Sequence, residues 1–215
     1  MESVTMRIQD VVPVVPQGGL WALDKVALSV GNQQLLDWCA ARCGGSRSWR
    51  HRKWAEARDL LALSQIAPRF KVREMDLRET FRALALLRVP VPCTPDAHGQ
   101  LRVERLALLG ITYVEEAVYE PQPGYGFVTV LEPSGVWHPN VATHPAQAVC
   151  LGPKLPAGIL VKELVLSTYG ALSMQSVQMD ERAAEGVLNA EAALWWQQRM
   201  DLVPLSRTPF LSPGD

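Results

Sequence analysis

The sequence lacks any uninterrupted apolar run of the roughly 18 residues that a membrane-spanning helix requires. Its most apolar early stretch, residues 11–20, is interrupted by two prolines and two glycines and has no basic flank. It therefore does not have the pattern of a secretory signal peptide. These absences predict a cytoplasmic protein that has no membrane partner.

Basic and acidic residues are nearly equal in number, 21 against 22, and the formal net charge is -1. Residues 47–54 form one basic run that contains two tryptophans, and such a run could bind phosphates or stack on bases. One short run on a neutral protein instead favours the solvated basic start of the next helix, with the two tryptophans half buried. A nucleic-acid partner is therefore not expected.

Cysteine is scarce: the chain has four, Cys39, Cys43, Cys93 and Cys150. A reducing cytosol argues against disulfides. Cys39 and Cys43 are one helical turn apart, but a zinc site needs four ligands and His51 is the single candidate nearby. The pair is interpreted as two small helix residues, and no metal is predicted.

Glycine and proline divide the remaining pattern into short elements. Helices are predicted over residues 21–42, where Gly31-Asn32 could interrupt the helix, and over residues 54–66, 159–172 and 189–200, with Asn189 as an N-cap. Short strands are predicted over residues 81–91, 101–109, 111–119 and 126–131, although residues 81–87 would also suit a helix. Residues 1–20 are predicted to be an extended arm, and the proline-rich tail from Val203 a surface strap or a disordered segment. Helix, short antiparallel strands, a cysteine loop and further helices together indicate an α+β fold.

The most informative motif is His138-Pro139-Asn140, which comes shortly before Cys150. A cysteine thiolate is a strong nucleophile and a good leaving group, as thioester chemistry requires. The amide of Asn140 could hydrogen-bond to an oxyanion, and Pro139 fixes the backbone between its neighbours. The motif therefore points to acyl transfer through Cys150.

With Val149-Cys150-Leu151, the helix at residues 159–172 and Leu188-Asn189-Ala190-Glu191-Ala192-Ala193, this motif resembles the ubiquitin-conjugating enzymes, and most closely their divergent bacterial members. The resemblance is good over residues 125–200 and topological over residues 54–123. It implies a ubiquitin-conjugating fold with an N-terminal helix, an antiparallel meander sheet of about four strands, a cysteine loop and C-terminal helices. The implied units are an N-terminal extension (1–53), a catalytic domain (54–202) and a tail (203–215).

The resemblance also implies the roles of the site residues. Cys150 would accept a ubiquitin-like modifier protein from an adenylating activating enzyme and pass it to a lysine or other amine of a protein target. Asn140 would stabilise the oxyanion or fix the loop, and His138 would bond to backbone. Asp180, with Glu181 as its neighbour, would help the attacking amine. No metal or bound organic cofactor is implied, and the related bacterial proteins suggest an antiphage defence system.

Three departures from the family pattern concern the cysteine loop. The interval from His138 to Cys150 is about two residues longer than usual, no glycine comes shortly before Cys150, and Leu155-Pro156 replaces a tryptophan-proline pair. Two other functions stay open. One is a cysteine hydrolase with His144 or His138 as the base and Asp180 as the orienting acid. The other is a non-catalytic adaptor.

Overall fold

A computed structural model describes residues 23–180 and 187–212, so the predicted arm, Trp21 and Glu181 lie outside the described residues. The helices are α1 Val30–Ala40, α2 Arg47–Ile66, α3 Glu116–Tyr119, α4 Val161–Leu172 and α5 Ala190–Gln197, with a 3-10 helix at Met200–Leu202. The strands are β1 Phe70–Asp76, β2 Phe81–Leu87, β3 Val91–Cys93, β4 Arg102–Glu104, β5 Ala107–Tyr113, β6 Gln122–Pro123, β7 Val128–Glu132 and β8 Lys154–Leu155.

The centre of the molecule is a four-stranded sheet in the order β1-β2-β5-β7, with every neighbouring pair antiparallel. The predicted α+β class and antiparallel sheet are therefore confirmed. The two small pairs β3-β4 and β6-β8 lie outside this sheet. Among the described helices, none combines the length and the apolar composition that a membrane-spanning segment requires.

The structure settles one ambiguous strand prediction and corrects two other expectations about the strands. The ambiguous residues 81–87 form β2, because alternate residues from Phe81 to Leu87 are buried on one face of the sheet. Strand β1 was missed, since its middle residues are polar and a bulge between Val72 and Glu74 breaks the alternation. Residues 116–119, predicted as strand, form the short helix α3.

The first helices also differ from the prediction. Helix α1 is shorter than residues 21–42, and it begins when Ser29 caps the backbone N–H of Asn32, so Gly31-Asn32 lies inside its first turn. Helix α2 begins at Arg47 rather than at residue 54, with Ser46 as its N-cap. The predicted basic run is thus the start of α2.

That run has a buried face. Trp49 is buried, and Lys53 is 0% exposed while its ammonium group donates to the carbonyls of Gly44, Leu77 and Glu79. These bonds tie α2 to the segment after α1 and to the β1-β2 turn. The prediction of a solvated helix start with half-buried tryptophans therefore fits the partly exposed Trp54 and is wrong for the buried Trp49 and Lys53.

Helix α5 begins where the sequence predicts, and α4 begins at Val161, two residues after its predicted start. The Glu56 carboxylate of α2 accepts the first free N–H of α4, from Val161, over 2.8 Å. The Asn189 side chain caps α5 by accepting from the N–H of Ala192 over 3.0 Å, which confirms the predicted N-cap.

The predicted extension and tail contribute to the same core as the sheet. Helix α2 runs across the predicted boundary between residues 53 and 54. Leu23 and Leu36, on the N-terminal side, and Phe210, in the tail, are buried in one hydrophobic cluster with the sheet. Within the described residues, the segments from Leu23 to the tail therefore share one packed unit.

Candidate functional site

The backbone around Cys150 forms a small antiparallel ladder. The N–H of Cys150 donates to the carbonyl of Asn140 over 2.7 Å, and the N–H of Ala142 donates to Ala148 over 2.9 Å. Val141 and Val149 form the bridge between these bonds. Residues 143–147 are therefore a closed hairpin loop, and the long spacer leaves Asn140 directly opposite Cys150.

Gln147 fixes this hairpin to the sheet. Its side-chain amide donates to the carbonyls of Val130 and Pro133 over 2.7 and 3.0 Å, and its side-chain oxygen accepts from the N–H of Val136 over 3.1 Å. The residue is buried and has a φ of 41°, a left-handed conformation that favours glycine. In the absence of a glycine shortly before Cys150, Gln147 takes this conformation and its hydrogen bonds hold it there.

The segment after Cys150 is held by backbone contacts with the segment around Gly124. The N–H of Leu151 donates to the carbonyl of Gly124 over 2.7 Å, and β6 pairs with β8 just beyond. A Cβ at position 124 would lie 1.8 Å from the carbonyl oxygen of Gly152. Only glycine allows the two backbones to come this close, so this contact sets the path of the cysteine loop.

His138 is completely buried and bonds only to backbone in the described structure. Its Nε2 donates to the carbonyl of Ala171 over 2.8 Å, and its Nδ1 accepts from the N–H of Asn140 over 3.0 Å. Burial lowers the pKa of His138 to about 4, against the weaker opposite effect of the Ala171 bond. The ring is neutral at pH 7 and has both nitrogens engaged, so it is a scaffold and offers no base.

Asn140 and Pro139 attach the motif to two further segments. The Asn140 amide donates to the carbonyl of Gln178 over 3.0 Å and accepts from the N–H of the same residue over 2.9 Å. The carbonyl of Pro139 accepts from the N–H groups of Leu188 and Asn189, at 2.7 and 3.0 Å. With the His138 bond to Ala171, the tripeptide joins the end of α4, the segment after it and the start of α5.

Cys150 opens onto a cleft of about 440 Å³ between its own loop and α4. The residue is 7% exposed, and its thiol donates to the carbonyl of Gly152 with the sulfur 3.5 Å from the oxygen. The described lining has no charged side chain and no histidine; besides Cys150 it includes Asn140, Leu166, Ser167, Ser176 and Gln178. The cleft therefore offers a nucleophile and neutral hydrogen-bonding groups.

The remaining predicted residues do not line this cleft. His144 is exposed in the hairpin loop, and Asp180 is exposed with its N–H bonded to the side chain of Gln178. The structure thus brings Cys150 and Asn140 together, supports Asn140 with His138, and leaves His144 and Asp180 outside the cleft.

Sequence reasoning missed Gln147, Gly124 and Gln178. Gln178 contributes its backbone to Asn140, and a backbone contact leaves no residue-type signal. Gly124 precedes the predicted strand at residues 126–131, and nothing in the sequence beside it indicates its close approach to Gly152. Gln147 gives no sequence signal because the partners of its buried side chain lie 11 to 17 positions away.

The chain matches no protein-family model, no curated protein and no solved structure. In the described ranges, no group of three or more histidine, cysteine or acidic residues could hold a metal ion.

Proposed function

We propose that this protein is a conjugating enzyme with a ubiquitin-conjugating fold, which carries a ubiquitin-like modifier as a thioester on Cys150. An adenylating activating enzyme would load it, and an amine of a target protein would receive the modifier, as in a bacterial antiphage conjugation system. The proposal combines the resemblance around His138-Pro139-Asn140 and Cys150 with the geometry of the site.

The observation that carries the proposal is a cysteine, 7% exposed, that lines a cleft whose described lining has no base. A hydrolase needs a group that activates water, and a histidine beside the thiol is the usual one. The lining here is neutral, His138 has both nitrogens bonded to backbone, and His144 is outside. No group of the described lining would direct water at a thioester in this cleft, which suits a carrier whose thioester must survive until an amine arrives.

The proposed chemistry has two steps. The Cys150 sulfur attacks the carbonyl carbon of the thioester on the activating enzyme and forms a new C–S bond. The C–S bond to the activating enzyme breaks, and the sulfur released there takes the proton of Cys150. The target nitrogen then attacks the same carbon, a C–N bond forms, and the Cys150 sulfur leaves and takes a proton from the amine. A thiolate is a good leaving group in both steps.

Asn140 is assigned to fixing the loop rather than to the oxyanion. Its amide already donates to Gln178 and accepts from the same residue. This pairing holds the segment after α4 against the cleft, while the Asn140 backbone carbonyl holds Cys150. Asp180 is assigned no step, because it does not line the described cleft.

The test is to incubate the protein with ATP and with the activating enzyme and modifier encoded beside its gene. Wild type is expected to form a modifier adduct that a thiol reductant releases. Cys150→Ser is expected to form a reductant-resistant adduct, because an oxyester forms instead. Cys150→Ala is expected to form none.

Cys43→Ala is the matched control, since Cys43 is a partly exposed thiol outside the cleft. It is expected to load like wild type. An adduct that persists in Cys150→Ala, or no wild-type adduct while the activating enzyme itself is loaded, would contradict the carrier role. The second of these results would favour a non-catalytic adaptor.

A further inference from the structure

The chain has few lysines, and one of them closely follows the cysteine proposed as the carrier. The five lysines of the sequence are Lys25, Lys53, Lys71, Lys154 and Lys162. Lys154 comes four residues after Cys150 and is exposed at the start of β8, whereas the next residue, Leu155, is buried. The side-chain amine nearest to Cys150 along the chain therefore belongs to the protein itself.

Contacts within the chain hold three of the five ammonium groups. They belong to Lys53, which donates to three backbone carbonyls, to Lys71, which donates to the carbonyl of Ser64, and to Lys162, which pairs with Asp59. Lys25 and Lys154 are exposed, and in the described part of the chain no hydrogen bond or ion pair engages either ammonium group. Lys154 is therefore a free amine close in sequence to Cys150.

The backbone after Cys150 folds Lys154 back toward the thiol. Leu151 is bonded to Gly124, and Lys154 is paired with the adjacent residue, Pro123. In an extended strand the Cα atoms of residues 151 and 154 would be about 10 Å apart. The two residues that face them are neighbours, whose Cα atoms are only about 3.8 Å apart. The chain between them must therefore bulge, and the φ of 123° at Gly152 permits this.

The sulfur atom lies on the side of its cleft from which Lys154 approaches. The Cys150 sulfur is 3.5 Å from the carbonyl oxygen of Gly152, and only Pro153 stands between that residue and Lys154. Pro153 itself lines the cleft. A lysine has a flexible four-carbon stem, so its amine can reach across such a short separation. Two reacting groups held in one molecule meet far more often than groups on separate molecules do.

We propose that Lys154 is an internal acceptor site, to which the modifier moves from Cys150 when no target amine is present. This inference rests on the proposed carrier function. The unprotonated Lys154 nitrogen attacks the thioester carbonyl carbon and forms a C–N bond. The C–S bond to Cys150 breaks, and the proton that the nitrogen loses passes to the sulfur. The products are a modifier joined to Lys154 by an isopeptide bond and a free Cys150 thiol.

A single-turnover chase tests the proposal on the full chain. The activating enzyme loads the protein with the modifier, ATP is then removed, and no target is added. Wild type is expected to convert the reductant-sensitive thioester into a reductant-resistant adduct with one modifier, and mass spectrometry of its peptides should place the modifier on Lys154. The rate should not change when the loaded protein is diluted about tenfold, because the reaction occurs within one molecule.

Lys154→Arg keeps the positive charge but has no nucleophilic amine. It is expected to load like wild type and to form the resistant adduct at least about tenfold more slowly. Lys25→Arg, which removes the other free lysine, is the matched control and should behave like wild type.

Three results would overturn the inference and leave the carrier role standing. They are a thioester that releases only free modifier, a resistant adduct that forms equally fast in Lys154→Arg, and a rate that falls on dilution. If no variant forms a thioester while the activating enzyme is loaded, the carrier role is contradicted and the inference fails with it.

Discussion

At the scale of single residues, the buried ring of His138 makes folding sensitive to acid. The unfolded chain takes up a proton near the ordinary histidine pKa of about 6.5, whereas burial lowers the folded pKa to about 4. As the pH falls from about 6.5 to about 4, the unfolded state binds a proton that the folded state does not, and the free energy of unfolding falls. Above pH 6.5 both states are neutral and this contribution is constant.

The test is urea unfolding of wild type and His138→Gln at pH 7 and pH 5. The glutamine keeps a donor and an acceptor but does not titrate. Between pH 7 and pH 5, protonation of His138 in the unfolded chain should lower the free energy of unfolding of wild type by about 2 kcal/mol. The variant should be less stable at pH 7 but should lose less on acidification. Equal pH dependence in both proteins would show that His138 does not cause the loss.

Gln147 combines a left-handed backbone with three buried hydrogen bonds, so two substitutions separate these features. Gln147→Ala removes the bonds and keeps the strained φ, which should cost about 2–4 kcal/mol in free energy of unfolding. Gln147→Gly removes the same bonds and relieves the strain, and should cost about 1 kcal/mol less. Gln100→Ala, at an exposed loop position, is the control and should change stability little. A glycine variant less stable than the alanine variant would rule out strain at this position.

One single-residue feature of the site was implied by the family resemblance of the motif. The backbone bonding expected of His138 is present. The choice between two roles for Asn140 could not be made, since it depends on Gln178, 38 positions away. The sequence also could not predict that Asp180 lies outside the cleft, because a distance counted along the chain does not show which side chains line a cleft.

At the scale of elements, the contact between Gly124 and Gly152 sets the cysteine loop. Gly124→Ala would put a methyl carbon 1.8 Å from a backbone oxygen, so the two segments must separate. We expect a cost of about 1–3 kcal/mol and a changed rate of Cys150 alkylation, with the alkylation of Cys43 unchanged. Mass spectrometry of the labelled peptides measures both rates.

Gly31→Ala is the same chemical change at a helix position where the new Cβ meets no atom within 4 Å. It should raise the free energy of unfolding by up to about 1 kcal/mol and leave Cys150 alkylation as in wild type. If Gly124→Ala also left the Cys150 rate unchanged, the glycine contact would have no part in positioning the thiol.

The elements that were predicted and those that were missed differ in how local their signals are. The strand at β7 and the helices α4 and α5 have regular apolar patterns and clear ends, so they were found. The basic run at residues 47–54 was predicted to be a solvated helix start, and the burial of Lys53 was missed because the carbonyls that accept from its ammonium group come from distant turns. Strand β1 was missed because its bulge removes the alternation that identifies a strand.

At the scale of the whole molecule, the tail contributes to the stability of the sheet core. Phe210 is 7% exposed and packs edge-to-face on Tyr169 of α4 with ring centres 5.4 Å apart. Phe210→Ala should lower the free energy of unfolding by about 3 kcal/mol in a single transition. Leu202→Ala, at a side chain that is 41% exposed, should cost less than about 0.5 kcal/mol. Similar losses in the two variants would indicate that the tail does not stabilise the core.

The bond from the Cys150 thiol to the Gly152 carbonyl can form only while the sulfur carries its proton. In the proposed thioester the sulfur would have no proton to donate, so the oxygen of Gly152 would lose this donor. The same oxygen lies where a Cβ of residue 124 would have to be, and β8 begins two residues later. If Cys150 carries a modifier as proposed, its acylation would therefore remove one bond from the segment that leads into the β6-β8 pair.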